Sequence, residues 1–83
     1  MKVTIVSPEC ILYSGEVDSV SVPGAKGRFE ILNHHAPIVS VLSAGRVVCG
    51  GENSKSFEIL GGFVEVAHNE VSVCVETPQK LNG

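Results

Sequence analysis

Residues 62 to 76 read GFVEVAHNEVSVCVE, two alternating runs around a short polar turn. Val64 and Val66 alternate with Phe63 and Glu65, and Val71, Val73 and Val75 alternate with Ser72, Cys74 and Glu76. A period of two is the signature of a strand with one buried face. The two runs flank His68-Asn69, a pair suited to a tight hairpin turn. The valines face a core, which leaves Phe63 and Cys74 on the nominally outer face. That face is therefore not fully polar and is a candidate partner surface.

The same period extends in both directions. KVTIV alternates Val3 and Ile5 against Lys2 and Thr4, and Pro8-Glu9 breaks the strand before CILYSGEV resumes it. In EVDSVSV the apolar positions fall at Val17, Val20 and Val22, a slip of phase that predicts a bulge or bend near Asp18-Ser19. PGAKG reads as a loop, RFEIL and APIVSVL as strands, and RVVCG and KSFEIL as a hairpin around GENS. Gln79 to Gly83 reads as a frayed tail. No stretch carries a helical period. About eight to ten short strands in 83 residues predict an all-β fold, a small two-sheet β-sandwich or flattened barrel, with residues 1–83 forming a single domain.

Composition narrows the function. Hydrophobic residues make up 43% of the chain and charged residues 18%, a balance that supports an ordered core. The net charge of -3, with six scattered basic residues, offers no stripe to neutralise successive phosphates, so nucleic acid is not an expected partner. No apolar run reaches the roughly 18 residues of a membrane span, and MKVTIVS enters a strand pattern at once, without the features of a signal peptide. A soluble chain without direct membrane insertion is expected. Cys10, Cys49 and Cys74 are odd in number and embedded in apolar runs, and are expected to be reduced, buried thiols.

Residues 27 to 45, GRFEILNHHAPIVSVLSAG, raise a sharper question. Two adjacent imidazoles invite a metal or acid-base reading. Yet neighbouring strand positions point to opposite faces, and no ligand spacing among His34, His35, His68 and the cysteines matches a metal site. Nothing lowers a thiol pKa or supplies an oxyanion hole, and Gly61-Gly62 precedes a strand rather than a phosphate-binding helix. No metal, no cofactor and no catalytic residue are expected. Pro37 forces Ala36 into an extended conformation and sets the start of IVSVL, while one imidazole packs and hydrogen-bonds across the turn. His35 is expected to be that structural imidazole and His34 the more exposed one.

Gly27, Ile31-Leu32, His35-Ala36-Pro37-Ile38, Leu42, Gly45 and then Gly61-Gly62-Phe63-Val64-Glu65-Val66 ahead of Val71 and Val73 together resemble the amino-terminal domain of the epsilon subunit of F-type ATP synthases. The resemblance spans nearly the whole chain. It implies a β-sandwich of the central stalk that performs no chemistry, binds the gamma subunit and rests on the membrane ring of c subunits within the ATP synthase complex. It thus implies a rotor role in proton transport and ATP synthesis, on the cytoplasmic side of the bacterial inner membrane. The gamma-facing candidates are Tyr13, Phe63 and Cys74. The ring-facing candidates are Lys26, Arg28, Glu30, Asn33 and His34, taken as loops at one end, with Gly27, His35, Ala36 and Pro37 shaping the turn. The family motif commonly reads Gly-Glu-Phe-Gly-Ile-Leu-Pro-Asn-His-Ala-Pro. Here Arg28 stands where an acidic residue is common, Glu30 where glycine is, and Asn33-His34 where proline and asparagine are. Family members usually continue into a helical hairpin that can inhibit ATP hydrolysis and in some members binds ATP. Residues 1–83 are expected not to hold the motor in that inhibited state. The alternative is a small peptide- or carbohydrate-binding sandwich, against which the absence of Trp and the single Tyr both count.

Overall fold

The computed structural model describes residues 1–51 and 54–78. Nine strands follow one another: β1 (Lys2–Val6), β2 (Ile11–Glu16), β3 (Ser19–Gly24), β4 (Gly27–Leu32), β5 (Ile38–Leu42), β6 (Gly45–Gly50), β7 (Lys55–Ile59), β8 (Gly61–Ala67) and β9 (Glu70–Glu76). There is no helix among the described residues. Hydrogen bonds join the strands in the order β2-β1-β9-β8-β5-β3-β6-β7, with β4 on β3. β1 lies parallel to β9 and antiparallel to β2.

This single ladder curls until its two halves face each other across one core. Val3, Ile5, Val64, Val66, Val71 and Val73 come from one half, and Val20, Val22, Ile31, Val47, Cys49 and Ile59 from the other; all are at most 2% exposed. Each set is the inward-facing half of a period-two strand, so burial follows from the alternation. Across the gap between the two ends of the path, Tyr13 of β2 meets Phe57 of β7 with ring centroids 5.8 Å apart.

The halves are joined at a corner. β5 pairs along its length with β8 and meets β3 only at Gly24↔Leu42; after Ser43-Ala44, β6 pairs with β3 and β7. Gly45 turns the corner at φ 153°, and a side chain there would press on Pro23, with Cβ to Cβ at 2.9 Å. The Ser43 amide donates to the Pro23 carbonyl at 2.8 Å, and the Ala25 amide to the Val41 carbonyl at 2.9 Å. Pro23 sits within β3 without disrupting the sheet because its missing N–H falls where the ladder is already broken.

Several local expectations are corrected. PGAKG is no open loop: Pro23 pairs with Arg28 and Gly24 with Gly27, leaving Ala25-Lys26 as a two-residue turn. The bend expected near Asp18 is present between β2 and β3, and a further bulge lies in the β1/β2 pair, between Ile5 and Val6, where Leu12 is the extra residue. Of the three cysteines, only Cys49 is buried; Cys74 is half-buried and Cys10 is exposed. Pro8-Glu9 delays strand pairing, so Cys10 belongs to the turn, where its amide bonds the Ser7 hydroxyl at 3.3 Å and its carbonyl accepts from the Ser7 amide at 2.9 Å. Within the GENS turn Glu52-Asn53, and the tail from Gln79 to Gly83, lie outside the described residues.

Candidate interaction surfaces

On the outer side of β2, β1, β9, β8 and β5 the register aligns one apolar residue from each strand. Ile11 is opposite Val6, Val6 opposite Cys74, Cys74 opposite Phe63, and Phe63 opposite Val41. Four strand spacings of about 4.8 Å make this row roughly 19 Å long. Three of its five members are well exposed, Ile11 at 64%, Val41 at 65% and Phe63 at 44%, while Val6 and Cys74 are half-buried. The next row is polar, with Ser14, Thr4, Ser72 and Glu65 ending on Val39, and the one beyond it is charged, with Glu16, Lys2 and Glu70. The face therefore grades from apolar to charged along the strands. Beside the apolar row an open groove of about 510 Å³ runs past Pro8, Gly61 and Gly62. An apolar band bordered by polar rows is the form of a protein-docking surface.

Two of the three residues expected to face gamma lie in this row, as direct cross-strand neighbours: Phe63 and Cys74. Tyr13 is not with them. It is opposite Ile5, a fully buried residue, and so lies on the inner side, packed against the core and Phe57. The bulge after Ile5 is what turns Tyr13 inward and Ile11 outward.

The segment from Lys26 to His35 is not a loop at one end. β4 runs through it, so Lys26 lies at one end of the sandwich and Asn33-His34 at the other, roughly 23 Å away at about 3.3 Å per residue. Arg28 and Glu30 lie along β4 between them. The Arg28 guanidinium is engaged within the chain, Nε donating to Ser21 Oγ at 3.0 Å and Nη2 to the Arg46 carbonyl at 2.6 Å.

The His34 end gathers several elements. β8 and β9 are joined by His68 at φ 53° and Asn69 at φ 59°, the two left-handed residues of a type I′ turn. Asn69 Oδ1 accepts the His34 amide at 2.7 Å, and the Asn69 carbonyl accepts the Lys2 amide at 3.2 Å. The Met1 amine donates to Asn33 Oδ1 at 2.8 Å and to the Val17 carbonyl at 3.1 Å. His34 itself stands at φ 64° and is exposed; His35 is half-buried, as expected. The His35 Nδ1 contact is local, to the Ala36 carbonyl at 2.7 Å, so the imidazole does not bridge the turn. Ala36 and Pro37 precede β5 directly, and Gly27 opens β4 at φ 131°.

Sequence reading missed Ile11, Val6, Val41 and Asn69. The first three show in the alternation, but only cross-strand register assembles them. Among the described residues no group of three or more His, Cys, Asp or Glu is placed to hold a metal ion. Burial pushes the Cys49 thiol up from 9.0 to about 11, which keeps it protonated and unreactive.

Residues 1–80 match the protein family described as the β-sandwich domain of the ATP synthase delta/epsilon chain. The ATP synthase epsilon chain of Leptospira interrogans is 47% identical over 77 residues, covering 92% of this chain and 61% of that one. The epsilon chain of Caulobacter vibrioides is 43% identical over 74 residues, covering 88% and 86%. The chain thus spans under two thirds of the Leptospira relative and most of the Caulobacter one. Two solved structures share the fold at low identity. One is the central stalk and c-ring of Tetrahymena thermophila mitochondrial ATP synthase, with TM-score 0.76, 20% identity and coverage of 90% of this chain and 62% of that one. The other is Euglena gracilis mitochondrial ATP synthase, with TM-score 0.81, 19% identity and coverage of 88% and 48%.

Proposed function

The chain belongs to the ATP synthase delta/epsilon β-sandwich family, and on that premise we propose that it is a non-catalytic rotor subunit linking the gamma subunit to the c-ring. The observation that carries the gamma contact is the row Ile11, Val6, Cys74, Phe63 and Val41, an apolar band across five strands with a polar border. Gamma covers this row. The ring contact falls to the ends and outer edge of β4, with Arg28, Glu30, Asn33 and His34 as the side chains that meet the polar loops of the ring, and Lys26 at the far end of the strand. Charge complementarity at such a contact sets register and partner choice. The fold suits a rotor part, because a hydrogen-bonded ladder wrapped around one close-packed core resists shear, so torque crosses it with little deformation.

The subunit works on the cytoplasmic side of the bacterial inner membrane and is held there through the complex. No helix of the described residues is long and apolar enough to cross a membrane. No chemistry is assigned to it; coupling of ion flow to ATP synthesis passes through its contacts. Reconstitution into vesicles tests this directly. Synthase assembled with the subunit should make ATP from an imposed ion gradient, whereas synthase assembled without it should keep hydrolysis in its catalytic head and lose gradient-driven synthesis. Undiminished synthesis without the subunit would refute a coupling role.

A further inference from the structure

Asn69 stands 35 positions from His34 in the chain, yet its side-chain oxygen takes the His34 amide at 2.7 Å. His34 is at φ 64°, a left-handed conformation that only a few per cent of residues other than glycine adopt, Asn, Asp and His more often than the rest. Next to it the His35 amide closes the turn on the Leu32 carbonyl at 3.1 Å. The Asn69 carbonyl meanwhile accepts the Lys2 amide, so the same residue grips the start of β1 and the β4–β5 turn. We infer that Asn69 is a positioning residue, which sets the backbone of the His34 turn from across the end of the sandwich and thereby fixes how that turn is presented. The hairpin needs only a left-handed residue at position 69, and glycine would serve it at least as well. The amide side chain is therefore explained by its second role. Use of the lock in ring attachment rests on the ring contact proposed above; the lock itself does not.

The test separates the two roles of Asn69. Asn69→Gly keeps the left-handed turn and removes the acceptor, while Asn69→Asp keeps both. In full-length, isotope-labelled protein the glycine variant should exchange the His34 amide about tenfold faster than the parent, with the Glu70 amide and the melting temperature little changed. The aspartate variant should restore the parent rate. Parent-like exchange at His34 in Asn69→Gly, or failure of Asn69→Asp to restore it, would overturn the assignment. Binding of the same variants to detergent-purified c-ring reads the proposed contact separately. Weakened binding by Asn69→Gly with rescue by Asn69→Asp is expected; faster exchange with unchanged binding would leave the lock standing and remove this turn from the ring contact.

Discussion

Replacing Phe63 by alanine probes the proposed docking row at its largest side chain. Phe63 is 44% exposed, which is about 90 Å² of a phenylalanine's roughly 200 Å². Covering that area completely is worth about 2 kcal/mol at about 25 cal/mol per Å², and alanine, retaining its β-carbon, forfeits about 1.5 to 2 kcal/mol of it. The dissociation constant for gamma should then rise about ten- to thirtyfold. Because the side chain faces away from the core, the fold should survive, with a melting temperature within a few degrees of the parent. Leu32→Ala is the matched control: Leu32 is 54% exposed but lies on β4, outside the row. Titration calorimetry of each variant against purified gamma gives the comparison. A Phe63→Ala constant within about threefold of the parent, or an equal loss from Leu32→Ala, would remove Phe63 from the gamma contact.

Gly62 has φ 150°, and a Cβ there would be driven into the Cys74 carbonyl oxygen on the paired strand; Gly62→Ala should lower stability by more than about 3 kcal/mol in urea denaturation, or prevent folding. Cys49 holds its proton more tightly folded than unfolded, so its contribution is fully present below pH 9.0 and is lost as pH rises toward about 11. Cys49→Ala should flatten that alkaline loss, followed by denaturation at a series of pH values. A water-soluble thiol reagent should label exposed Cys10 at once and buried Cys49 only on unfolding. Arg28→Glu should cost about 1 kcal/mol or more in stability by breaking the bonds to Ser21 and the Arg46 carbonyl, and should also weaken c-ring binding; unchanged binding in a folded variant would remove Arg28 from the ring contact.

Strand number, the inward valines and the Pro37 strand start were legible because they depend on local alternation and backbone restriction, which neighbouring residues determine among themselves. Val64, Val66, Val71, Val73 and Val75 are buried as their spacing requires, and Phe63 lies outside. The family was legible too, through ordered motifs such as His35-Ala36-Pro37 and Gly61-Gly62-Phe63. Position 34, commonly asparagine in that motif, stands here at φ 64°, a conformation asparagine tolerates; the substitution was visible in the sequence and its backbone reason was not.

Register and curvature were decided elsewhere. Alternation assigns Tyr13 a face only if β2 runs unbroken, and a one-residue bulge opposite Ile5 and Val6 sends Tyr13 to the core and Ile11 to the surface. Likewise Lys26 and His34 are eight positions apart in sequence, but an extended strand separates them by most of the length of the domain. Asn69 and His34 are 35 apart and share a hydrogen bond. Which residues form strands, and which of the regular ones turn inward, follows from local alternation, since a period of two is a property of the backbone. Which strands lie side by side, and hence that Ile11, Val6, Cys74, Phe63 and Val41 form one surface, depends on long-range pairing, because register is set by the packing of the whole core and by no single segment.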